Sequence, residues 1–433
     1  MIRPMTSDFV RGDETGLGIP SHVEALRTAG EVFLTRAFHA FGSLHPANRV
    51  SRITRCEMCP GGSTGQKLFL SVEYERSEPQ LHTDLFVKFS RDFQDPIRDR
   101  GRFELQGEVG FASISRLPDF PISVPVAYFA DYHGESGTGI LITQRIDFGA
   151  NGIEPHRQKC LDHEQLTEPL AYYRAIITNL ARLAAAHKSG QLSAAIEARF
   201  PFDADAAVAA DAIPYDERKL REQVECFADF AAKYPQLLPS TLTPEFFSKL
   251  DREVGRFLEH EAAIKRFLHA DPEFIALCHW NAHIDNAWFW RDESHVLQCG
   301  LMDWGRIRQL NVAYALWGCL SGAGIEIWDN HLDELLVLFT RELQEHGGPR
   351  LDISALKLYL NLYVATMGLA WLLGAPARIL SRLPEAATVS GPRDPIFRKH
   401  ESARNQLHIS TVFLHLWRVH DFGASLERLL KGK

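Results

Sequence analysis

The segment at residues 277–319 most constrains what this chain can fold into. It reads LCHWNAHIDNAWFW, a short polar connection, then LQCGLMDWGRIRQLNVAYALWGC. His279, Asn281, His283, Asp285 and Asn286 crowd into apolar sequence, and Asp303 follows a second apolar run. Buried polar groups need partners, so such a density demands a built site. Residues 288–290 and 297–302 read as two short strands joined by a charged turn at 291–294. Asn286 then precedes the first strand and Asp303 follows the second, and a hairpin would bring them together.

Composition excludes several function classes. The chain has 433 residues, natural for two lobes rather than one small core. Apolar residues are 45% and charged residues 24%, as in ordinary globular proteins. The net charge of −8 comes with no block of Lys or Arg, which argues against nucleic acid as a partner. Seven scattered cysteines suit a reducing compartment, and Cys56-x-x-Cys59 has no second pair to complete a zinc site. The first 14 residues lack an apolar core, so a cytoplasmic location is expected. Residues 358–377 carry no charge, but Asn361, Gly374 and Pro376 interrupt them. They are expected to form a buried helix, not a membrane span.

Along the chain, Ser21 and Glu24 have capping-box spacing and open a helix to about Phe41. Residues 50–59 and 67–75 read as strands around the turn Pro60-Gly61-Gly62-Ser63-Thr64-Gly65. A plain hairpin turn explains that glycine run, and so does a phosphate cradle. Residues 84–89 form a third strand containing Lys88, and a helix is expected at 102–117. A second antiparallel pair is expected at 124–129 and 139–146. A long helix begins near Glu168 and ends at His187 and Gly190. Residues 193–272 read as a helical insertion in which Thr243-Pro244 caps one helix.

The order of these features resembles the aminoglycoside phosphotransferase family and the wider small-molecule kinases of the protein-kinase-like fold. That family has H-G-D-x-H-x-x-N, two short strands, then Asp and often Trp. Here it stands as His279 to Asn286, then Met302-Asp303-Trp304. The resemblance implies an α+β, two-lobed protein-kinase-like fold with a small antiparallel-sheet N-lobe and a larger helical C-lobe. Residues 1–146 would form the N-terminal helix and nucleotide-binding lobe, and 147–433 the helical lobe with the acceptor site. It further implies an ATP- and Mg²⁺-dependent phosphotransferase acting on a hydroxyl of a small molecule. Gly61, Gly62 and Ser63 would cover the phosphates, and Lys88 would pair with Glu108 rather than Glu104. The backbone near Gln144 and Ile146 would hold the nucleobase. Asn286 and Asp303 would hold Mg²⁺, and His279 and His283 would be structural.

Two positions depart from the family pattern. Trp280 replaces a glycine, and Asn281 replaces the catalytic Asp. An amide accepts no proton at neutral pH, so Asp285 in the same loop is a candidate surrogate. A nucleotide-binding pseudokinase and a metal-dependent hydrolase are the alternatives. For the latter, His279 and His283 have helical metal-site spacing but lack the intervening Glu of zinc proteases. The scattered aromatics point to an acceptor that is a lipophilic or aromatic alcohol.

Overall fold

A computed structural model describes residues 8–431 except Pro60 and Ser63. The described chain forms two compact units. The first comprises Met1–Pro155 with Gly300–Ile307, and the second His156–Cys299 with Arg308–Lys433. A single cut after residue 146 would leave Gly300–Ile307 with the second unit.

The first unit begins with a small hairpin, β1 (Phe9–Arg11) and β2 (Gly18–Pro20). Its loop is tied down by the fully buried Asp131 carboxylate, which accepts the Glu14 and Thr15 backbone N–H groups at 3.0 Å each. Helix α1 (Val23–Ala40) follows. Its N-cap is His22, whose Nδ1 accepts from Ala25 N at 3.3 Å, so the Ser21–Glu24 capping box does not form. Gly30, at φ 56°, breaks the helix internally.

Five strands then make one antiparallel sheet: β3 (Val50–Met58), β4 (Lys67–Tyr74), β5 (Asp84–Phe89), β6 (Ala127–His133) and β7 (Thr138–Gln144). Their order is β3-β4-β5-β7-β6, so β5 is central. Lys88 therefore lies on the central strand. β6 starts at Ala127, because residues 124–126 lie outside the ladder. Alternation sorts the side chains. Leu68, Leu70, Val72, Leu85, Val87 and Phe89 pack in one core with Val23, Leu26, Phe33 and Phe38 of α1. The opposite face of β4 and β5 carries Lys67, Phe69, Phe86 and Lys88, which are less completely buried. The short helix α2 (Pro96–Asp99) and a 3₁₀ turn (Arg100–Glu104) lead into α3 (Leu105–Ile114). Leu105, Val109 and Ala112 of α3 pack with Ala127, Ala130 and Leu141 of β6 and β7.

The second unit is mainly helical. It holds α4 (Asp162–Gln165), α5 (Pro169–Lys188), α6 (Ser193–Arg199), α7 (Ala204–Ala209), α8 (Glu217–Lys233), α9 (Pro244–Glu259) and α10 (Glu261–Ala270). The Thr243 side chain caps α9 at Phe246 N with Pro244 in the first turn. Strand β8 (Ile275–His279) pairs with β11 (Ile307–Asn311), and β9 (Ala287–Arg291) pairs with β10 (Leu297–Leu301). Helices α11 (Val312–Leu320), α12 (Ile325–Glu345), α13 (Ile353–Trp371), α14 (Ala375–Arg382), α15 (Glu401–Val419) and α16 (Phe422–Lys431) complete it. Among the described residues α13 is long and apolar enough to cross a bilayer, and 72% of its most apolar window is buried in the unit. Asn361 in its middle donates to Ser425 Oγ at 3.2 Å and meets His420 Nδ1 at 3.2 Å. Those are the partners of a packed internal helix.

Asp162 in α4 is the clearest buried acid in this unit. It accepts from Tyr173 Oη at 2.6 Å. Burial pushes its carboxyl up to about 6, against the hydrogen bond from Tyr173. A raised folded value means that stability falls as pH rises from the unfolded value through about 6. Asp162→Asn should therefore stabilise the protein at pH 8 by up to roughly 3 kcal/mol and change little at pH 4. Chemical denaturation at the two pH values checks this, and a gain independent of pH would contradict it.

Candidate nucleotide site

Three charged side chains far apart in sequence meet in the first unit. Lys88 projects from the central strand β5 and donates from Nζ to Glu108 Oε1 at 3.1 Å and Oε2 at 2.9 Å. It also donates to Asp303 Oδ1 at 3.1 Å. Lys88 and Glu108 are largely buried, with 15% and 9% of their side chains exposed, whereas Asp303 retains 44%. Burial alone would lower the Lys88 pKa, but the charges of Asp303 and Glu108 outweigh it and hold the ammonium charged. Burial pushes Glu108 up, Lys88 pulls it down, and Asp303 pushes it up again. One cation thus serves two carboxylates.

Local structure explains the convergence. Glu108 lies in α3, which runs close to residues 300–307. A Cβ on Gly107 would come within 3.0 Å of Gly305 O, so glycine there permits close approach at some cost in helix propensity. Phe111 of α3 stacks on Trp304 with ring centroids 3.9 Å apart, beside Asp303. Leu301 N donates to Ser123 O at 3.0 Å, which anchors the start of the segment. Asp303 itself sits at φ 65°, a left-handed conformation uncommon outside glycine and enriched at functional sites. Glu104, the rival partner, pairs instead with Arg306 at 3.3 Å.

The glycine turn before β4 adopts left-handed conformations at Gly61 (φ 95°), Gly62 (φ 79°) and Gly65 (φ 50°). Arg98 Nη2 donates to Gly61 O at 3.0 Å. Ser63 lies outside the described residues. Gln144 ends β7, with its N–H donating to Val126 O at 2.8 Å, and Ile146 follows, with its carbonyl accepting from Phe148 N at 3.1 Å. Thr64, Lys67, Lys88, Ser90, Gly101 and Glu108 line a small cavity beneath the turn.

In the second unit, residues 280–286 form a tight loop after β8. Asn286 Nδ2 donates to Asn281 O at 2.8 Å, which orients the Asn286 amide. Asp285 Oδ2 pairs with Lys159 Nζ at 3.2 Å, and His156 Nε2 lies 2.8 Å from Asp285 O. Asp285 Oδ1 is buried with no hydrogen-bond partner among the described residues. His279 and His283 are both buried, and burial holds His283 well below its ordinary pKa. Among the described residues no group of three or more His, Cys, Asp or Glu side chains gathers as a metal site. Sequence reasoning missed Lys67, Arg98, His156 and Lys159. The last two lie in a polar connection with no motif to mark them.

No family model matches the chain, and no curated protein matches it in sequence. Several solved structures are similar to it at low sequence identity. An ethanolamine kinase of Plasmodium vivax is 13% identical, with 86% of this chain and 83% of that one covered and a TM-score of 0.43. A microcompartment-associated aminopropanol kinase is 14% identical, with 85% and 94% covered and a TM-score of 0.44. The GDP complex of an aminoglycoside 2'-phosphotransferase is 14% identical, with 84% and 94% covered and a TM-score of 0.41. The fold follows from the elements themselves. A five-stranded antiparallel sheet unit with a glycine-rich turn, a central-strand lysine and a helix glutamate accompanies a larger helical unit. This is the α+β architecture of the protein-kinase-like fold.

The shared cation makes a stability prediction. Lys88→Met strands two carboxylates, one of them buried, and should cost about 3 kcal/mol in chemical denaturation. Adding Glu108→Gln should recover part of that loss, since it removes a buried charge. A single-variant cost indistinguishable from zero would show that the three groups are not coupled.

Proposed function

We propose that the chain is an ATP- and Mg²⁺-dependent phosphotransferase acting on a hydroxyl of a small molecule. The observation that carries this reading is the Lys88–Glu108–Asp303 cluster beside a glycine-rich turn. Phosphoryl transfer is mostly positioning and charge neutralisation, and in protein kinases the strand lysine, the helix glutamate and the metal-binding aspartate supply both. Lys88 neutralises nucleotide phosphate charge, and Glu108 holds Lys88 in place. The half-buried Phe69 and Phe86, 5.9 Å apart on the same sheet face, offer an apolar surface to a base. The structural neighbours support nucleotide use, since one is described as a GDP complex.

Asp303 in the first unit and Asn286 in the second each offer an oxygen donor of the kind proposed for Mg²⁺. Their chemistry fits a hard cation, because both offer oxygen ligands. The bound ion would neutralise phosphate charge. Asn286 is already oriented by its bond to Asn281.

The acceptor would occupy the cavity in the second unit lined by Phe202, Asp203, Asp211, Tyr314, Tyr363 and Met367. Tyr314 and Tyr363 stack at 3.5 Å, and Trp280 Nε1 donates to Tyr363 Oη at 2.6 Å. Trp280 thus links this aromatic wall to Asn281. A lipophilic or aromatic alcohol is the acceptor proposed to lie against these rings, in a cavity that Lys265 and Arg308 also line.

A second reading, a nucleotide-binding pseudokinase, is favoured by one specific arrangement. Asn281 cannot accept a proton, and Asp285 is engaged by Lys159.

Thermal melts with MgATP and phosphorus NMR with a panel of hydroxyl acceptors test the first reading. MgATP should raise the melting temperature, and ATP should be consumed only with an acceptor. Asp303→Ala should abolish the Mg²⁺-dependent part of nucleotide binding while the cation of Lys88 keeps Glu108 paired. Asn281→Asp should raise turnover by about 10²-fold or more if a missing base limits the rate. Asp285→Ala should cripple the natural protein if Asp285 is the surrogate. Nucleotide binding with no gain from Asn281→Asp and no loss from Asp285→Ala would decide for the pseudokinase. No binding of nucleotide with any divalent ion would overturn both readings.

A further inference from the structure

Lys67 is the unexplained charge in the first unit. It opens β4 and stands directly opposite Lys88 in the β4–β5 register. Directly opposed residues leave the same face of a sheet, and like charges in that position are destabilising. Lys88 is compensated by Glu108 and Asp303. Lys67 takes part in no ion pair among the described residues.

The surroundings make this cation costly. Burial lowers its pKa first and Lys88 lowers it further, with Asp303 and Glu108 opposing and Arg98 adding to the fall. Gly62 lies over it so closely that a Cβ there would overlap Lys67 Nζ. Gly62 also has a positive φ, a backbone conformation in which a larger residue is strained. Lys67 and Lys88 both line the cavity that Thr64, Ser90 and Gly101 complete. Lys67 is held under a glycine turn and against another lysine, and the two nearby carboxylates, Glu108 and Asp303, are both paired with Lys88, so an added anion would relieve it.

We propose that Lys67 is a second polyphosphate-binding cation, which together with Lys88 holds the phosphate chain of a nucleotide beneath the Gly61–Gly62 turn. This rests on the nucleotide reading above and adds to it a residue and a ligand chemistry. A multiply charged phosphate chain satisfies two adjacent ammonium groups at once, whereas a single carboxylate does not. In the nucleotide-free protein Lys67 is a source of repulsion, so its removal acts oppositely on folding and on binding.

The test uses the full chain as wild type, Lys67→Met and Lys67→Arg. Affinities for MgATP, inorganic tripolyphosphate and adenosine are measured by calorimetry, with ligand-free melts alongside. Lys67→Met should weaken MgATP and tripolyphosphate by about tenfold or more, the loss of one charge-assisted contact. Adenosine affinity should not change, and the ligand-free melt should stay level or rise. Lys67→Arg should recover most of the phosphate affinity. If Lys67→Met binds both phosphates as wild type does, the proposal is overturned and the nucleotide reading stands. If wild type binds tripolyphosphate through Lys67 but binds no nucleotide, the nucleotide reading falls and the anion site stands. If wild type binds neither, both fall. A lower ligand-free melt with unchanged affinities would assign Lys67 a structural role and overturn the proposal.

Discussion

A single ammonium group shared by two carboxylates is the interaction on which the first unit depends. Lys88 lies on a central strand, where removal from water favours neutral groups over charged ones. It stays charged because Glu108 and Asp303 approach within 3.1 Å. Those contacts tie a strand, a helix and the segment 300–307 to one point. Glycine at 107, the Phe111–Trp304 stack and the left-handed Asp303 all serve that convergence. A buried ion pair is weak evidence for stability by itself. On the proposed reading, a phosphate chain and a divalent ion would be what this cluster serves.

Much of this was legible in the sequence, for local reasons. Alternation in Asp84–Phe89 marks a strand, and the Thr243-Pro244 pair marks a helix start; both appear where the pattern puts them. The choice of Glu108 over Glu104 came from motif spacing, and Lys88 indeed pairs with Glu108. What stayed hidden depends on long-range register or on competition between neighbours. That Lys88 lies on the central strand was not legible, because strand order is not written locally. Lys67 faces Lys88 only once β4 and β5 are aligned. His22 displaced Ser21 as the helix cap because its ring reaches Ala25 N. The Lys159–Asp285 pair joins a polar connection to a loop 126 positions later, and no pattern in either announces it.

Asn281 marks the point where positioning and chemistry separate. The loop is held by the Asn286 bond to Asn281 and by the Lys159 and His156 contacts on Asp285. A loose phosphoryl-transfer transition state asks little of a base, so an amide at this position slows a kinase more readily than it abolishes one. The same amide is also what a binding module would carry. The difference lies in proton transfer, not in fold.

The central claim is that the Lys88 cluster receives the phosphates of a nucleotide. An acyl-phosphate derivative of ATP transfers its acyl group to a lysine lying against the bound phosphates, and mass spectrometry then locates the modified residue. Labelling at Lys88 or Lys67 that is suppressed by unmodified ATP is the predicted result. Labelling confined to surface lysines and indifferent to ATP would contradict the claim.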